Sequence, residues 1–294
     1  MLNFGARRVW VMMGKICAAT AADVEEMVGW AAAEGWNPGI GDAAAFRVAD
    51  PDGFLVTTDH RGLAACISAV AYGETFGFIG FYIVRPDLRG QGHGWRIWQA
   101  ALARLDGRTT GLDGVVAQQD NYRRSGFVYA HRNVRYAGVP VAHAGAPGDA
   151  SGLRLTPVLP DLVETVVAYD RPLFPADRAT FLRSWLSPPR TALALMDHRG
   201  VCGYGVIRRT LHGHKIGPLF ADDAAAATLL FDALAATVPG ETVILDPPGT
   251  NPAAIALAEE RGLRPVFETA RMYRGPAPAT DAARIFGITT FELG

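Results

Sequence analysis

The sequence is poor in the residues that crosslink chains or hold metals. Of 294 residues only Cys17, Cys66 and Cys202 are cysteine, and they lie far apart. No Cys-x-x-Cys pair occurs, so neither a disulfide framework nor a zinc site is indicated, and a reducing, cytoplasmic compartment fits best. No grouping of His, Asp and Glu has metal-ligand spacing; Asp222-Asp223 reads as a helix start. The formal net charge is −1. The chain therefore lacks both the basic excess of nucleic-acid binders and an acidic tail. Long apolar runs are missing too, which argues against a membrane span. Arg7 and Arg8 precede an apolar stretch over 9–17, a weak likeness to a signal peptide. Lys15 interrupts it and 20–26 reads as a capped helix start, so a first strand over 9–18 is the better reading.

Apolar residues make up 49% and charged residues 19%, a globular balance with material for two cores. The length suits two domains of roughly 140 residues. A helix is expected over 20–34, with Asp23, Glu25 and Glu26 in its first turn. A turn-rich loop should follow over 35–41. Strands are expected over 54–58, 63–72 and 76–84. The last is almost free of polar residues, as suits a strand covered on both faces, and Pro86 stops it. Trp95, Trp98, Leu102 and Leu105 then mark one face of a helix. Short strands over 111–117 and 127–136 close the first half.

Residues 138–152 are rich in Gly, Ala and Pro and read as a linker. The second half repeats the style. A strand over 153–156, helices near 159–169 and 176–186, and strands over 191–196, 203–209 and 215–220 come first. A helix over 222–237, a strand over 243–246, a helix over 251–261 opened by Asn251-Pro252, and a strand over 264–273 follow. The parallel order of elements suggests an old duplication.

The densest signal is Arg89-Gly90-Gln91-Gly92-His93-Gly94-Trp95, between a buried strand and a helix. N–H groups at such a helix start have no partner in the helix, and glycines let the backbone approach a ligand. The site suits a pyrophosphate. The spacing is not that of a dinucleotide-binding Gly-x-Gly-x-x-Gly, and no Gly-Lys-Ser/Thr follows to make a Walker loop. The imidazole of His93 is expected to face solvent. Trp30, Trp95 and Trp98 read as core residues.

With its flanks, Val84-x-Pro86 and Arg89-x-x-Gly92-x-Gly94, this stretch resembles motif A of the GNAT acetyltransferases. Asn121-Tyr122-Arg123-Arg124-Ser125-Gly126-Phe127 resembles motif B, about 30 residues later and in the family's order. The resemblance covers roughly residues 10–137. It implies an α/β fold with a mixed sheet: two tandem GNAT-like domains, each a central, mostly antiparallel sheet flanked by helices. Residues 1–137 would form the acetyl-CoA-binding domain, 138–151 the linker and 152–294 a degenerate GNAT-like domain. Asn251 to Gly262-Leu263 is similar to motif B. Residues 215–222 occupy the place of motif A without Arg-x-x-Gly-x-Gly, so CoA binding there is doubtful. The ending 284–292 resembles tandem bacterial members.

The resemblance also implies roles. Gly90, Gln91, Gly92, His93, Gly94 and Trp95, with Arg89, would hold the CoA pyrophosphate, and Asn121 would add a contact. Ile83 and Val84 would bond the pantetheine arm, with the Val84 N–H polarising the thioester carbonyl. Tyr122 would protonate the leaving thiolate. The base stays open: Glu74, near the start of the strand over 76–84, is a candidate but reads more readily as a turn carboxylate, and a water chain would leave no trace in sequence; Tyr82 could bind substrate or pack in the core, and Asp120 could attract a cationic amine or cap a helix. The expected activity is acetyl transfer from acetyl-CoA to a primary amine, a small molecule or amino acid, without a metal. Transfer to a protein lysine or N-terminus, and a non-catalytic acetyl-CoA-binding module, are the alternatives. The second half is expected to cover the acceptor side or to support a homodimer. Neither nucleic acid nor membrane is an expected partner.

Overall fold

The computed structural model describes residues 14–141 and 152–294. Residues 9–13 of the expected first strand, and 142–151 of the expected linker, lie outside the described residues. Local chemistry opens the first helix, α1 (Ala21–Ala33): the Asp23 N–H donates to Thr20 Oγ1 and the Thr20 N–H donates to Asp23 Oδ2, a reciprocal cap. Helix α2 (Asp42–Ala49) was not expected. Its run of alanines carries no apolar period. Tertiary contacts hold it instead, because the buried Asp42 accepts from Arg190 and Arg208, each at 3.0 Å.

The strands of the first half are β1 (Ile16–Ala18), β2 (Phe54–Asp59), β3 (Gly62–Tyr72), β4 (Phe76–Val84), β5 (Thr109–Val115) and β6 (Val128–Gly138). The second half supplies β7 (Arg154–Pro157), β8 (Thr191–Asp197), β9 (Gly200–Arg209), β10 (His214–Ala221), β11 (Val243–Leu245), β12 (Arg264–Arg274) and β13 (Ile285–Gly287). The two mostly antiparallel sheets run together into one sheet of thirteen strands, ordered β1-β2-β3-β4-β5-β12-β6-β11-β10-β9-β8-β7, with β13 beside β10. Only β4–β5 and β10–β11 pair in parallel among the described residues.

The order shows that the halves exchange their closing strands. β12 fills the place between β5 and β6, pairing Thr269–Arg274 against Val115–Thr110. β6 in turn pairs with β11. Cross-strand chemistry fixes this register: Arg271 lies opposite Asp113 and donates to both its carboxylate oxygens, at 2.9 and 2.6 Å.

Helices cover both faces. α3 (His93–Arg104) and α4 (Gln119–Arg124) pack on one face of the first half, over Ala65, Ile67 and Ala69 of β3. α7 (Ala224–Ala235) and α8 (Pro252–Glu260) cover the second half. On the other face α1 and α2 meet α5 (Val163–Asp170) and α6 (Ala179–Trp185) in a single core spanning both halves. Phe46 of α2 stacks on Trp185 of α6 with ring centroids 5.8 Å apart. Of the expected stripe, Trp98 and the C-cap residue Leu105 are buried, and His93, Ile97 and Ala101 complete the buried side of α3. Trp95 lies in the first turn on the side away from Ile97 and is 62% exposed.

A buried ion pair of the second half lies against this core, with Arg178 over the Phe174 ring. Arg178 donates to both oxygens of Asp170, at 2.9 and 2.7 Å, and to Thr289 Oγ1 at 2.8 Å. Replacing Asp170 by Ala leaves a buried guanidinium without its counter-charge, which costs about 3–5 kcal/mol. Calorimetric unfolding of D170A is expected to show a midpoint lowered by on the order of 10 °C.

Candidate active site

The glycine loop is held in shape before any ligand arrives. Gly90 and Gly92 have φ of 73° and 90°, the left-handed region that favours glycine. Gln91 Nε2 donates back to the Asp87 carbonyl at 2.7 Å. Gly92 caps α3, and Arg96 N–H is the donor that reaches its carbonyl. The N–H groups of His93, Gly94 and Trp95 thus have no acceptor four residues back and point out of the helix start. Gly94 lies flat on β4: a Cβ there would sit 2.7 Å from Tyr82 Oη and 3.1 Å from Val84 Cγ2.

Beside this loop the sheet opens. β4 and β5 pair from Phe76↔Thr109 to Ile79↔Leu112 and then diverge. A bulge falls at the divergence, where the register against β3 shifts and Phe81 adopts φ 48°. A non-glycine residue in that region is strained, which is common where backbone is aimed at a ligand. Arg85 N–H donates to the Ala64 carbonyl at 3.0 Å, so alternation sends the backbone groups of Ile83 toward β3 and those of Val84 toward the opening. The Val84 carbonyl there accepts from Arg89 Nε at 2.9 Å, and Arg89 also pairs with Glu34.

The opening is a cavity of about 580 Å³. The loop glycines, Arg89 and Trp95 line one end. Tyr82, Trp98 and Tyr122 form a wall; Asp113, Thr269, Phe267, Phe291 and Glu292 lie farther along. Tyr122 is buried, its ring 5.5 Å from that of Trp98. It lies so close over β5 that a Cβ on Gly114 would sit 2.3 Å from Tyr122 Cε2. Burial, with a smaller push from Tyr82, raises the Tyr122 phenol well above its ordinary value.

The structure therefore brings Ile83, Val84, Arg89, Gly90, Gly92, Gly94, Trp95 and Tyr122 to one cavity. Gln91, Asn121, His93 and Glu74 are not among its lining residues. Asn121 is exposed and bonds Gln118 and Arg124. His93 is 4% exposed rather than solvent-facing, because it shares a helix face with the buried Ile97 and Ala101. Glu74 is exposed in the β3–β4 turn, at the end of β4 away from the cavity. Asp120 is exposed and pairs with Arg123.

A family model described as "Acetyltransferase (GNAT) family" matches residues 19–131, and one described as "Acetyltransferase (GNAT) domain" matches 166–287. The holothin acyltransferase of Pseudoalteromonas sp. (strain SANK 73390) is 33% identical over 267 residues, 90% of this chain and 89% of that protein. The chain belongs to the GNAT acetyltransferase family. It is an acyltransferase with two GNAT domains in tandem. A putative acetyltransferase from Pyrococcus horikoshii shares the fold over 100% of both chains, with a TM-score of 0.76 at 22% identity. A tandem GNAT protein from the clavulanic acid biosynthesis pathway covers 90% of this chain and 99% of its own, with a TM-score of 0.59 at 15% identity.

The second GNAT domain repeats the geometry but fills it. β10 and β11 pair in parallel only from His214↔Val243 to Ile216↔Leu245, then diverge as β4 and β5 do. Here β13 lies along β10 in the divergence, pairing Leu219↔Gly287 and Phe220↔Ile285. The start of α7 is also satisfied internally, since Asp223 accepts from the Ala226 N–H at 2.8 Å. A carboxylate thus stands at the helix start where an open site would receive phosphate. Sequence reasoning missed Thr269, Phe291 and Glu292 as lining residues. They come from the second half, and no local motif marks them. No helix among the described residues is long and apolar enough to cross a membrane.

Proposed function

We propose that this GNAT enzyme transfers the acetyl group of acetyl-CoA to a small primary amine while both are bound. The observation that carries the reading is the open divergence of β4 and β5, flanked by the unpaired N–H groups of the α3 start and by Tyr122. The α3 start would take the pyrophosphate, and the free edge of β4 at Val84 would take the pantetheine amides as an added strand. The Val84 N–H would bond the thioester oxygen as charge builds on it. Tyr122, kept protonated by burial, would donate to the departing thiolate. Support for acyl transfer also comes from the relative named for acylating holothin.

Gly94→Val tests the donor end. Its side chain would collide with Tyr82 and Val84, so α3 must lift from β4. Calorimetric titration is expected to show acetyl-CoA affinity at least ten-fold weaker than in the unchanged protein, about 1.4 kcal/mol. Thiol release over a panel of amines tests the reaction itself. Acetyl-CoA that fails to bind the unchanged protein overturns the reading.

A further inference from the structure

Three carboxylates line the cavity, and two are already spoken for. Glu34 pairs with Arg89. Asp113 accepts from Arg271 twice and from Asn133 at 2.7 Å. Glu292 is 3% exposed, and its side chain makes no hydrogen bond or ion pair with any described residue; Oε1 is buried without a partner. A second orphan lies in the same lining, the Thr269 hydroxyl, also buried and unpaired. Leaving a buried carboxylate and a buried hydroxyl unpaired is costly, and such groups are expected to meet a ligand.

Both orphans line the cavity that Val84 and Tyr122 also line. The Glu292 backbone is packed on the start of the divergence, so closely that a Cβ on Gly80 would lie 2.2 Å from the Glu292 carbonyl oxygen. The surrounding wall is aromatic: Phe267 and Phe291 have ring centroids 6.0 Å apart, and Trp36 lines the same cavity. The only cation in the lining is Arg89, at the glycine-loop end and bound to Glu34. The buried cations that act on Glu292 are engaged elsewhere, Arg135 with both oxygens of Asp246, Lys215 with the Asn37 carbonyl and Arg208 with Asp42, so an acceptor's own carboxylate would compete with those partners, and a polycation would find one carboxylate and apolar walls.

We propose that Glu292 and Thr269 form the acceptor subsite, which takes the ammonium of a compact aromatic primary amine, and that Glu292 accepts its proton. This rests on the acetyl-CoA reading above. The ammonium gives one proton to the Glu292 carboxylate, and from there it passes to solvent. The freed nitrogen pair forms the N–C bond to the acetyl carbon, and the C–S bond breaks. The sulfur takes a proton from Tyr122, which regains one from the nitrogen, so the amide keeps a single N–H. Burial raises the Glu292 carboxyl, against the opposing pull of Lys215, Arg135 and Arg208 and with a further push from Asp42, and this makes it a stronger base.

The test uses the full chain, acetyl-CoA and three probe amines: phenethylamine, phenylalanine and spermidine. Phenethylamine is expected to turn over with the highest kcat/KM. Glu292→Gln should lower that value at least 100-fold at pH 7.5 while acetyl-CoA affinity stays within two-fold. Its deficit should shrink as pH rises and free amine accumulates, a recovery that a merely structural role would not produce. Thr269→Val should raise the amine KM about ten-fold with little change in kcat. If E292Q no longer binds acetyl-CoA, the T269V measurement decides. Failure of acetyl-CoA to bind the unchanged enzyme sinks the donor reading. With acetyl-CoA bound, equal kcat/KM for E292Q and the unchanged enzyme overturns the subsite. So does preference for phenylalanine or spermidine, or no turnover of any probe.

Discussion

Residues 1–141 expressed alone are expected to yield no folded acetyl-CoA-binding unit, although they contain the whole glycine loop and Tyr122. The reason is the strand exchange. Without β12, the inner edge of β5 loses its ladder over Val115–Thr110, and β6 loses both β12 and β11 as neighbours. Asp113, whose side chain is 0% exposed, loses Arg271, and a buried charge stripped of its partner costs about 3–5 kcal/mol. The apolar face of α1 and α2 is also uncovered, since Trp185 and Phe181 lie in the same core. These losses together reach the entire stability of a typical domain, about 5–15 kcal/mol. Circular dichroism should show no cooperative thermal transition, and calorimetry no acetyl-CoA binding. Co-expression with residues 152–294 should restore both, because each fragment carries the strand that the other lacks. A soluble 1–141 fragment that binds acetyl-CoA like the full chain would show that the exchange is dispensable.

Tyr122→Phe is expected to lower kcat by about 100-fold or more, within the range that one general acid contributes, while the acetyl-CoA KM changes by less than about three-fold. The ring keeps its place between Trp98 and Gly114, so the variant loses little packing. What it loses is the proton for the CoA sulfur. Because burial holds the phenol well above its ordinary value, it stays protonated through neutral pH and its ionisation contributes no basic limb below pH 10. Steady-state thiol release checks both parameters. A kcat within five-fold of the unchanged enzyme would remove Tyr122 from the proton path and leave it as a wall of the cavity.

Much of this was readable from the chain, and the boundary has a physical cause. The donor site is local. Val84, the glycines and Tyr122 fall within 39 residues, on elements whose ends are set by Pro86, Gly92 and neighbouring turns. Backbone conformation and helix-start chemistry act over a few residues, so they leave a pattern in sequence. The second domain's closed site was also partly legible, because Arg-x-x-Gly-x-Gly is missing there; that β13 lies in the divergence was not. α2 escaped notice because its support comes from Arg190 and Arg208, 148 and 166 positions from Asp42.

What the sequence alone determined is therefore the family resemblance, the order of elements and the residues of the donor end. Only the tertiary structure decided that β12 enters between β5 and β6 and that Thr269 and Glu292 reach a cavity opened by β4. A strand's alternation and apolar content are the same whichever neighbour it pairs with, so sequence patterning cannot tell its own half from the other. The choice rests on contacts such as Arg271 with Asp113, 158 positions apart, which exist only once the chain has closed on itself.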